Sequence, residues 1–178
     1  MKYYLGLDVS TSVIGIAIID EVKKLHALEF LSLKKTKTLL SKAEVFRDHM
    51  LQYAHLDMDC VIVEEALKMF KKGKASAQIL QKLSMMNGMA SWIAKDTFNC
   101  KVVHYHSERA RKLAWPDLII RRGTDKKEIV RQKIAECYPQ VVWMRNRNNV
   151  IIKQSFDMSD AAVLCLAHLN DPEYFCKK

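Results

Sequence analysis

The sequence predicts an α/β fold in which helices flank a mixed sheet of five strands. Apolar runs of strand length occupy residues 3–9, 13–19 and 25–33, and only short turns separate them, which is typical of an antiparallel meander. A fully apolar run at 60–63 follows a helical segment, as buried parallel strands do, and a shorter run occupies 101–105. The remaining apolar residues recur mainly at helical spacing.

Helices are predicted between and after these strands. Helical spacing of apolar residues is found at 39–55, 75–95, 107–113, 126–137 and from 155 or 156 to 169. Ser107 is the predicted N-cap of the third helix, and Thr124 or Asp125 is that of the fourth. The apolar residues of 139–155 follow neither strand alternation nor helical spacing, so no secondary structure is predicted for this stretch. No repeat or linker interrupts the chain, so one domain spanning residues 1–178 is expected.

The composition favours a globular protein with an anionic partner. The chain has 178 residues, of which 49% are apolar and 28% charged, enough for a sizeable core. Its 29 lysines and arginines outnumber 20 aspartates and glutamates, which gives a net charge of +9. This balance favours nucleic acid first and an anionic membrane surface second, although a merely basic soluble protein has the same composition.

Cysteine usage and the N-terminus favour a reducing, intracellular compartment. The five cysteines are scattered and odd in number, and no C-x-x-C pair occurs, so neither a disulfide framework nor a zinc site is expected. No apolar run approaches the roughly 20 residues of a membrane span, and the first residues lead straight into a strand without a signal peptide. We expect a cytoplasmic protein without membrane association.

Acidic residues stand at the ends of three apolar elements. Asp8 interrupts the first strand, Glu64 and Glu65 follow the fourth, and Asp157 and Asp160 open the last helix. Burying a carboxylate costs free energy unless it is paired or binds a metal. Asp157 and Asp160 are three residues apart and share a helix face. Glu64 and Glu65 point to opposite faces of an extended strand, so only one of them joins a given site.

Two interpretations of these acids stay open from the residues alone. Asp8 can cap its own turn, and acids in the first turn of a helix suit the helix dipole. Converging carboxylates in a basic protein can instead bind Mg²⁺ or Mn²⁺. Two such ions about 4 Å apart activate water and stabilise the leaving oxygen of a phosphodiester, while lysines and arginines hold the phosphate backbone. The combination favours a metal-dependent nuclease.

The same acids lie in three motifs that follow one another along the chain. They are Gly6-Leu7-Asp8-Val9-Ser10-Thr11 closing at Gly15, Val61-Ile62-Val63-Glu64-Glu65, and Asp157-Met158-Ser159-Asp160-Ala161-Ala162. In this order they resemble the motifs of the RuvC family of Holliday-junction resolvases, over about residues 3–170. Phage and other viral members of that family are similar to this short, lysine-rich chain. The family often has glycine two residues after the first aspartate, where this chain has Ser10, which can itself make the turn.

The resemblance implies a ribonuclease H-like fold and a site of four carboxylates that are both catalytic and metal-binding. These are Asp8, Glu64, Asp157 and Asp160. The implied cofactor is Mg²⁺, with Mn²⁺ as the alternative. In this arrangement Asp8 would bridge the metals, Glu64 and Asp160 would bind one ion each, and Asp157 would bind a metal or position water.

The resemblance also implies residues that hold DNA. Lys112 and Lys127 correspond by position to basic residues near the scissile phosphate. The basic loop after the fourth strand is a further predicted DNA contact, formed by Phe70, Lys71, Lys72 and Lys74. In this loop Leu67 or Phe70 would insert at the junction centre. The alternatives are solvated charges for the lysines and a core position for Phe70.

The predicted helix 75–95 carries more apolar surface than one face needs. The surplus comprises Met85, Met86, Met89 and Trp92. The helix either simply covers the sheet or forms the seam of a homodimer, which is the assembly that the resemblance implies. A two-fold dimer would bring two sites to paired strands of a two-fold symmetric four-way junction.

The leading hypothesis is a Mg²⁺-dependent endonuclease that resolves four-way junctions by paired symmetric nicks. The alternatives are a less selective nuclease for flaps, forks or RNA–DNA hybrids, and a non-catalytic junction-binding scaffold, which a missing carboxylate would indicate. An actin-like or sugar-kinase ATPase needs a second such domain and a glycine-rich loop, which 178 residues with five glycines argue against. The segments 115–122 and 145–149 match nothing in the resemblance and are candidates for altering which DNA structure is chosen.

Overall fold

A computed structural model describes residues 1–66, 77–121 and 123–173 and contains a five-stranded mixed sheet. The strands are β1 (Tyr3–Val9), β2 (Val13–Asp20), β3 (Leu25–Ser32), β4 (Met58–Glu64) and β5 (Lys101–Tyr105). Their order across the sheet is β3-β2-β1-β4-β5. The first three strands are antiparallel neighbours, whereas β4 runs parallel to β1 and β5 runs parallel to β4. The predicted mixed five-stranded sheet is therefore confirmed.

The five helices agree with the sequence prediction in number and order, whereas several of their ends differ by one to five residues. They are α1 (Leu39–Met50), α2 (Ala77–Phe98), α3 (Ser107–Ala114), α4 (Lys126–Cys137) and α5 (Gln154–Asn170). The predicted helix 39–55 ends at Met50, because the chain tightens into a 3₁₀ turn at Leu51–Tyr53 before it enters β4. Ser107 was predicted as the N-cap of α3 but is its first residue, and His106 takes the cap position; the Ser107 side chain hydrogen-bonds Glu64. Within the described ranges, no helix has the length and apolarity needed to cross a membrane.

The sheet separates two apolar layers. Side chains of β1, β2 and β4 such as Leu7 and Val63 pack against α1 and α2 on one face. Their neighbours in sequence, including Ile62, pack against α3, α4 and α5 on the other face, because successive side chains of a strand point to opposite faces. Asp8 follows Leu7 in β1, so it belongs to the face that α5 covers.

The turn between β1 and β2 is closed by a serine. The Ser10 hydroxyl donates to the carbonyl oxygen of Val13 at 2.7 Å and accepts from the Val13 amide at 3.0 Å. It also accepts from the Ser12 amide at 3.3 Å. Lys42 of α1 donates to the carbonyl oxygen of Thr11, which ties this turn to the helix. The prediction that a serine can make this turn is confirmed.

Candidate active site

The four predicted carboxylates come from three elements that meet at one edge of the sheet. Asp8 lies near the end of β1, and Glu64 is the last residue of the parallel neighbour β4. The carboxyl ends of neighbouring parallel strands share one edge, which is where open α/β sheets form their sites. Asp157 and Asp160 lie in the first turns of α5, which crosses the same face. The fold thus brings acids together that are up to 152 residues apart, from Asp8 to Asp160.

Two glycines let α5 lie directly on the backbone of β1 and β2. A Cβ atom on Gly15 would lie 2.1 Å from the carbonyl oxygen of Asp157. A Cβ atom on Gly6 would lie 2.0 Å from the carbonyl oxygen of Ala161. Neither position has room for a side chain. Because Gly15 pairs with Asp8 across the antiparallel strands, the close approach sets the height of the α5 acids above Asp8.

Burial and mutual repulsion oppose the charges of these acids. Burial, followed by the charges of Glu64, Asp160 and Asp157, raises the pKa of Asp8 well above its usual range. Burial and the charge of Asp160 raise the pKa of Glu64 to about 7, although Arg111, Lys127 and Ser107 work in the other direction. Burial also raises the pKa of Asp157. Such a concentration of disfavoured negative charge is typical of functional sites and of cation sites.

Two cationic side chains face the acids from α3 and α4. Lys127 Nζ lies 3.5 Å from Asp157 Oδ1 and 3.5 Å from Asp160 Oδ2. Arg111 Nη2 donates to Asp160 Oδ1 at 3.3 Å. The Lys127 side chain is 46% exposed, whereas that of Arg111 is only 17% exposed. Burial works against the charge of Lys127, but the charges of Asp160, Asp157 and Asp8 raise its pKa above the usual value.

The donor chemistry of the site fits a hard divalent cation. All four candidate ligands are carboxylates, and oxygen ligands are the ones that Mg²⁺ and Mn²⁺ prefer. A bound cation would relieve the repulsion that raises the pKa of Asp8. In the part of the chain that the structure describes, no three acidic, histidine or cysteine side chains are already grouped tightly enough to hold an ion. Lys127 Nζ lies beside Asp157 and Asp160, so a cation bound by these two acids would have to compete with its ammonium.

Arg111 and Ser107 are site residues that the sequence analysis missed. In α3 they are four residues apart and therefore share one helix face, which is turned toward Glu64 and Asp160. The burial of Ala110 and Ala114 shows which side of the helix packs on the fold. In the sequence, the spacing of these two alanines is the feature that could have shown which face of α3 packs on the fold.

The residues predicted to hold DNA are located as follows. Lys127 lies at the carboxylates. Lys112 is exposed on α3 and lines a cavity of about 210 Å³ together with Arg111, Leu118 and Lys126. Phe70, Lys71, Lys72 and Lys74, as well as Leu67, lie outside the described residues.

Glu64 and Glu65 have different surroundings. Glu64 is one of the charges that act on Asp8, whereas Glu65 acts on His104 of β5. The amide of Glu65 donates to the carbonyl oxygen of Tyr105 at 2.8 Å, which extends the parallel pairing of β4 and β5 by one residue. This agrees with the prediction that only one of the two glutamates joins the acidic cluster.

Comparison with solved structures identifies the fold. RuvC of T. thermophilus in complex with a Holliday junction substrate superposes with a TM-score of 0.69 at 14% identity, over 97% of this chain and 96% of that one. The yeast mitochondrial Holliday junction resolvase Ydc2 superposes with a TM-score of 0.63 at 12% identity, over 98% of this chain and 82% of that one. No family model matches the sequence. No curated protein matches it either.

The strand order and the helices on both faces of the sheet define the ribonuclease H-like α/β fold. More narrowly, the chain has the fold of the RuvC Holliday-junction resolvases, over nearly its whole length. This agrees with the resemblance that the three acidic motifs carry.

Proposed function

We propose that this protein is a divalent-metal-dependent endonuclease that nicks branched DNA, with the four-way junction as its main substrate. The observation that carries the proposal is the convergence of four carboxylates under two cationic side chains in a chain of net charge +9. A protein of the same fold has been solved with a Holliday junction substrate, which supports this choice of DNA.

The proposed ligands are the four acids at the sheet edge. Mg²⁺, or Mn²⁺ in its place, would supply Lewis-acid activation of water and of the scissile phosphate. Asp8 is the proposed bridging ligand, because the charges of the other three acids all act on it. Glu64 and Asp160 are proposed to bind one ion each. Asp157, which is more exposed than Asp160, is proposed to bind a metal or to orient the attacking water.

The cationic side chains would act on the DNA and on the acids. Lys127 has a half-exposed side chain, so its ammonium can turn from the carboxylates to a phosphate of the bound strand. Arg111 is mostly buried and holds Asp160 in place through its guanidinium. Lys112 and the basic residues Lys71, Lys72 and Lys74 are proposed to contact the phosphate backbone further away, and Phe70 to contact bases.

A cleavage assay with labelled DNA tests the proposal. The substrates are a four-way junction, a Y-fork and a linear duplex of the same sequence, each with Mg²⁺ and with a chelator. We expect paired symmetric nicks in the junction, at least about tenfold slower cutting of the duplex, and no cutting with the chelator. Equal cutting of fork and junction would narrow the function to a general branch nuclease. Tight junction binding without any cutting would contradict the nuclease and leave a DNA-binding scaffold.

The protein is further proposed to act as a homodimer through a groove between α1 and α2. This groove has a volume of about 390 Å³ and is lined by Leu40, Ala43, Met89, Trp92 and Ile93. The side of α2 that faces away from the sheet presents Trp92 at 66% exposure, and Leu40 of α1 is 68% exposed. Contiguous exposed apolar surface of this kind marks an interaction site, and a second copy would cover both helices symmetrically.

We expect Trp92→Glu to convert the dimer into a monomer, because a charge would be buried at the centre of the apolar seam. Sedimentation velocity measures the change. A protein concentration of about 10 μM is suitable, because a specific dimer of standard interface size persists there. Val22→Glu is the matched control, since Val22 is 72% exposed at the turn after β2 and far from the groove. A wild-type protein that sediments as a monomer would contradict the proposed seam.

A further inference from the structure

Residues 144–152 form a short hairpin, which we call the 144–152 hairpin. It lies within residues 139–155, for which no secondary structure was predicted. The Ile152 amide donates to the carbonyl oxygen of Met144 at 3.0 Å, and the Asn146 amide donates to that of Val150 at 2.8 Å. Arg145 and Ile151 form an antiparallel bridge between these bonds. The segment is therefore a short two-stranded turn, held by one antiparallel bridge and two backbone hydrogen bonds.

The tip of this hairpin is held in one conformation by its own side chains. Asn146 Oδ1 accepts from the amides of Asn148 at 2.9 Å and Val150 at 3.0 Å. Arg145 Nη1 donates to the carbonyl oxygen of Asn149 at 2.7 Å. Asn149 adopts a left-handed conformation with φ of 59°, which asparagine tolerates better than most residues. A tip closed by four such features loses little entropy when it binds a partner.

The base of the hairpin is attached to two helices. The guanidinium of Arg131 in α4 lies 5.2 Å from the centre of the Trp143 ring, next to the first strand of the hairpin. Arg131 is itself fixed by two hydrogen bonds to Glu128, at 2.9 and 2.6 Å. At the other end, the Ile152 carbonyl accepts from the Ser155 amide in the first turn of α5. The hairpin therefore has a fixed position relative to the helix that carries two of the site acids.

Only a short stretch of chain separates the hairpin from the acidic cluster. Lys153 directly follows the hairpin, and the charge of Lys153 acts on Asp157. Four extended residues and five mostly helical ones separate the tip from Asp157, a path of at most about 20 Å. At 3.4 Å per nucleotide of a strand, this corresponds to about six base pairs from the scissile phosphate.

Two side chains at the tip are unpaired within the described ranges. Arg147 and Asn148 are exposed, and neither side chain makes a hydrogen bond or an ion pair with a described residue. By contrast, Arg47 is paired with Asp48 and Arg131 with Glu128. Arginine pairs with the O6 and N7 atoms of guanine through two hydrogen bonds, and asparagine pairs in the same way with adenine. These are the two residue types that read base edges most directly.

We propose that the 144–152 hairpin enters the major groove of the DNA arm beside the cut strand and determines where the strand is cut. Arg147 and Asn148 contact base edges there, while Arg145 and Lys153 add positive charge along the groove wall. The dimensions agree, because a two-stranded ribbon fits the major groove, which is about 12 Å wide. This inference rests on the proposed function, because DNA binding and strand cleavage are both part of that proposal.

The test uses four-way junctions whose base pairs are randomised within about six positions of the branch. Nick positions are sequenced after cleavage with Mg²⁺, and the same library is separately bound to protein silenced by Asp8→Asn. Both measurements compare Arg147 with Arg147→Lys, which keeps the charge and loses the planar two-donor contact. Arg47→Lys is the matched control, since Arg47 is an exposed arginine on α1 that already pairs with Asp48.

We expect the sequence preference in both measurements to fall at least about fivefold in Arg147→Lys and to stay unchanged in Arg47→Lys. The thermal midpoint should stay unchanged in both variants, which excludes a merely structural effect. The inference would be overturned if Arg147→Lys kept the wild-type sequence preference, or if the wild-type protein showed no sequence preference at all. If the protein bound particular sequences through Arg147 but made no nicks, the hairpin's role in DNA contact would be upheld and the proposed nuclease activity would be contradicted.

Discussion

Gly15→Ala is expected to destabilise the fold and to abolish cleavage together. The new methyl group would meet the Asp157 carbonyl oxygen at 2.1 Å, its carbon at 2.4 Å and the Met158 amide nitrogen at 3.0 Å. All three are backbone atoms, so no side chain can turn away and α5 itself has to move. Overpacking of this kind costs about 3 kcal/mol or more, and a shift of about 1 Å at a catalytic group costs about a hundredfold in rate.

Gly88→Ala supplies the matched control for this prediction. Gly88 lies inside α2, in the groove proposed for the dimer, and a Cβ atom there would meet nothing within 4 Å in its own protomer, so both variants are compared at a concentration where the protein is monomeric. Alanine in a helix interior is favoured over glycine by about 0.5–1 kcal/mol, so this variant should gain stability. Urea unfolding measures both variants on one scale, and the junction assay measures the rate of Gly15→Ala. A Gly15→Ala protein with wild-type stability and rate would contradict the close contact between α5 and β2.

Asp8→Asn is expected to abolish cleavage while it raises the stability of the metal-free protein. Burial and three neighbouring acids oppose the charge of Asp8, so a neutral amide of the same shape removes an unfavourable interaction from the fold. Loss of the proposed bridging ligand removes several kcal/mol of transition-state stabilisation, which corresponds to about a thousandfold in rate. Opposite signs for activity and stability are a hallmark of a functional residue and not of a structural one.

Thermal unfolding in the presence of a chelator and single-turnover cleavage with Mg²⁺ measure the two effects. Asp96→Asn is the control, because Asp96 is an exposed aspartate in α2, away from the sheet edge. It should change neither quantity. If Asp8→Asn instead lowered the thermal midpoint and kept the cleavage rate, Asp8 would be a structural residue, such as a cap of its own turn.

The fold was predictable because it depends on local patterns, and the same patterns drew attention to the acids, whereas the choice of four of them as one site came from the family resemblance. Apolar alternation and helical spacing identified five strands and five helices, and the acids interrupt apolar runs at their ends, where burial needs a reason. The positions of Asp8 and Glu64 at neighbouring strand ends followed from the parallel strand that comes after the first helix. These inferences did not depend on contacts between side chains that are far apart in the sequence.

The remaining features depend on three-dimensional contacts that no local pattern contains. Arg111 rather than Lys112 contacts Asp160 because the phase of α3 is set by what Ala110 packs against. The reason for a glycine at position 15 is the carbonyl oxygen of a residue 142 positions later, Asp157. No strand was predicted for the 144–152 hairpin, because its apolar and polar residues do not alternate regularly. Its turn also lacks the usual glycine, since the Asn146 side chain closes it instead.

The order of the acids along the chain also bears on how the protein is made. Asp8 and Glu64 leave the ribosome early, whereas Asp157 and Asp160 belong to α5, the last helix of the described fold. A chain whose synthesis stops before α5 carries only half of the acidic cluster and lacks the helix that packs on Gly6 and Gly15. Incomplete copies are therefore unable to bring all four acids together, so the proposed nuclease would gain its activity only once α5 has folded onto the sheet.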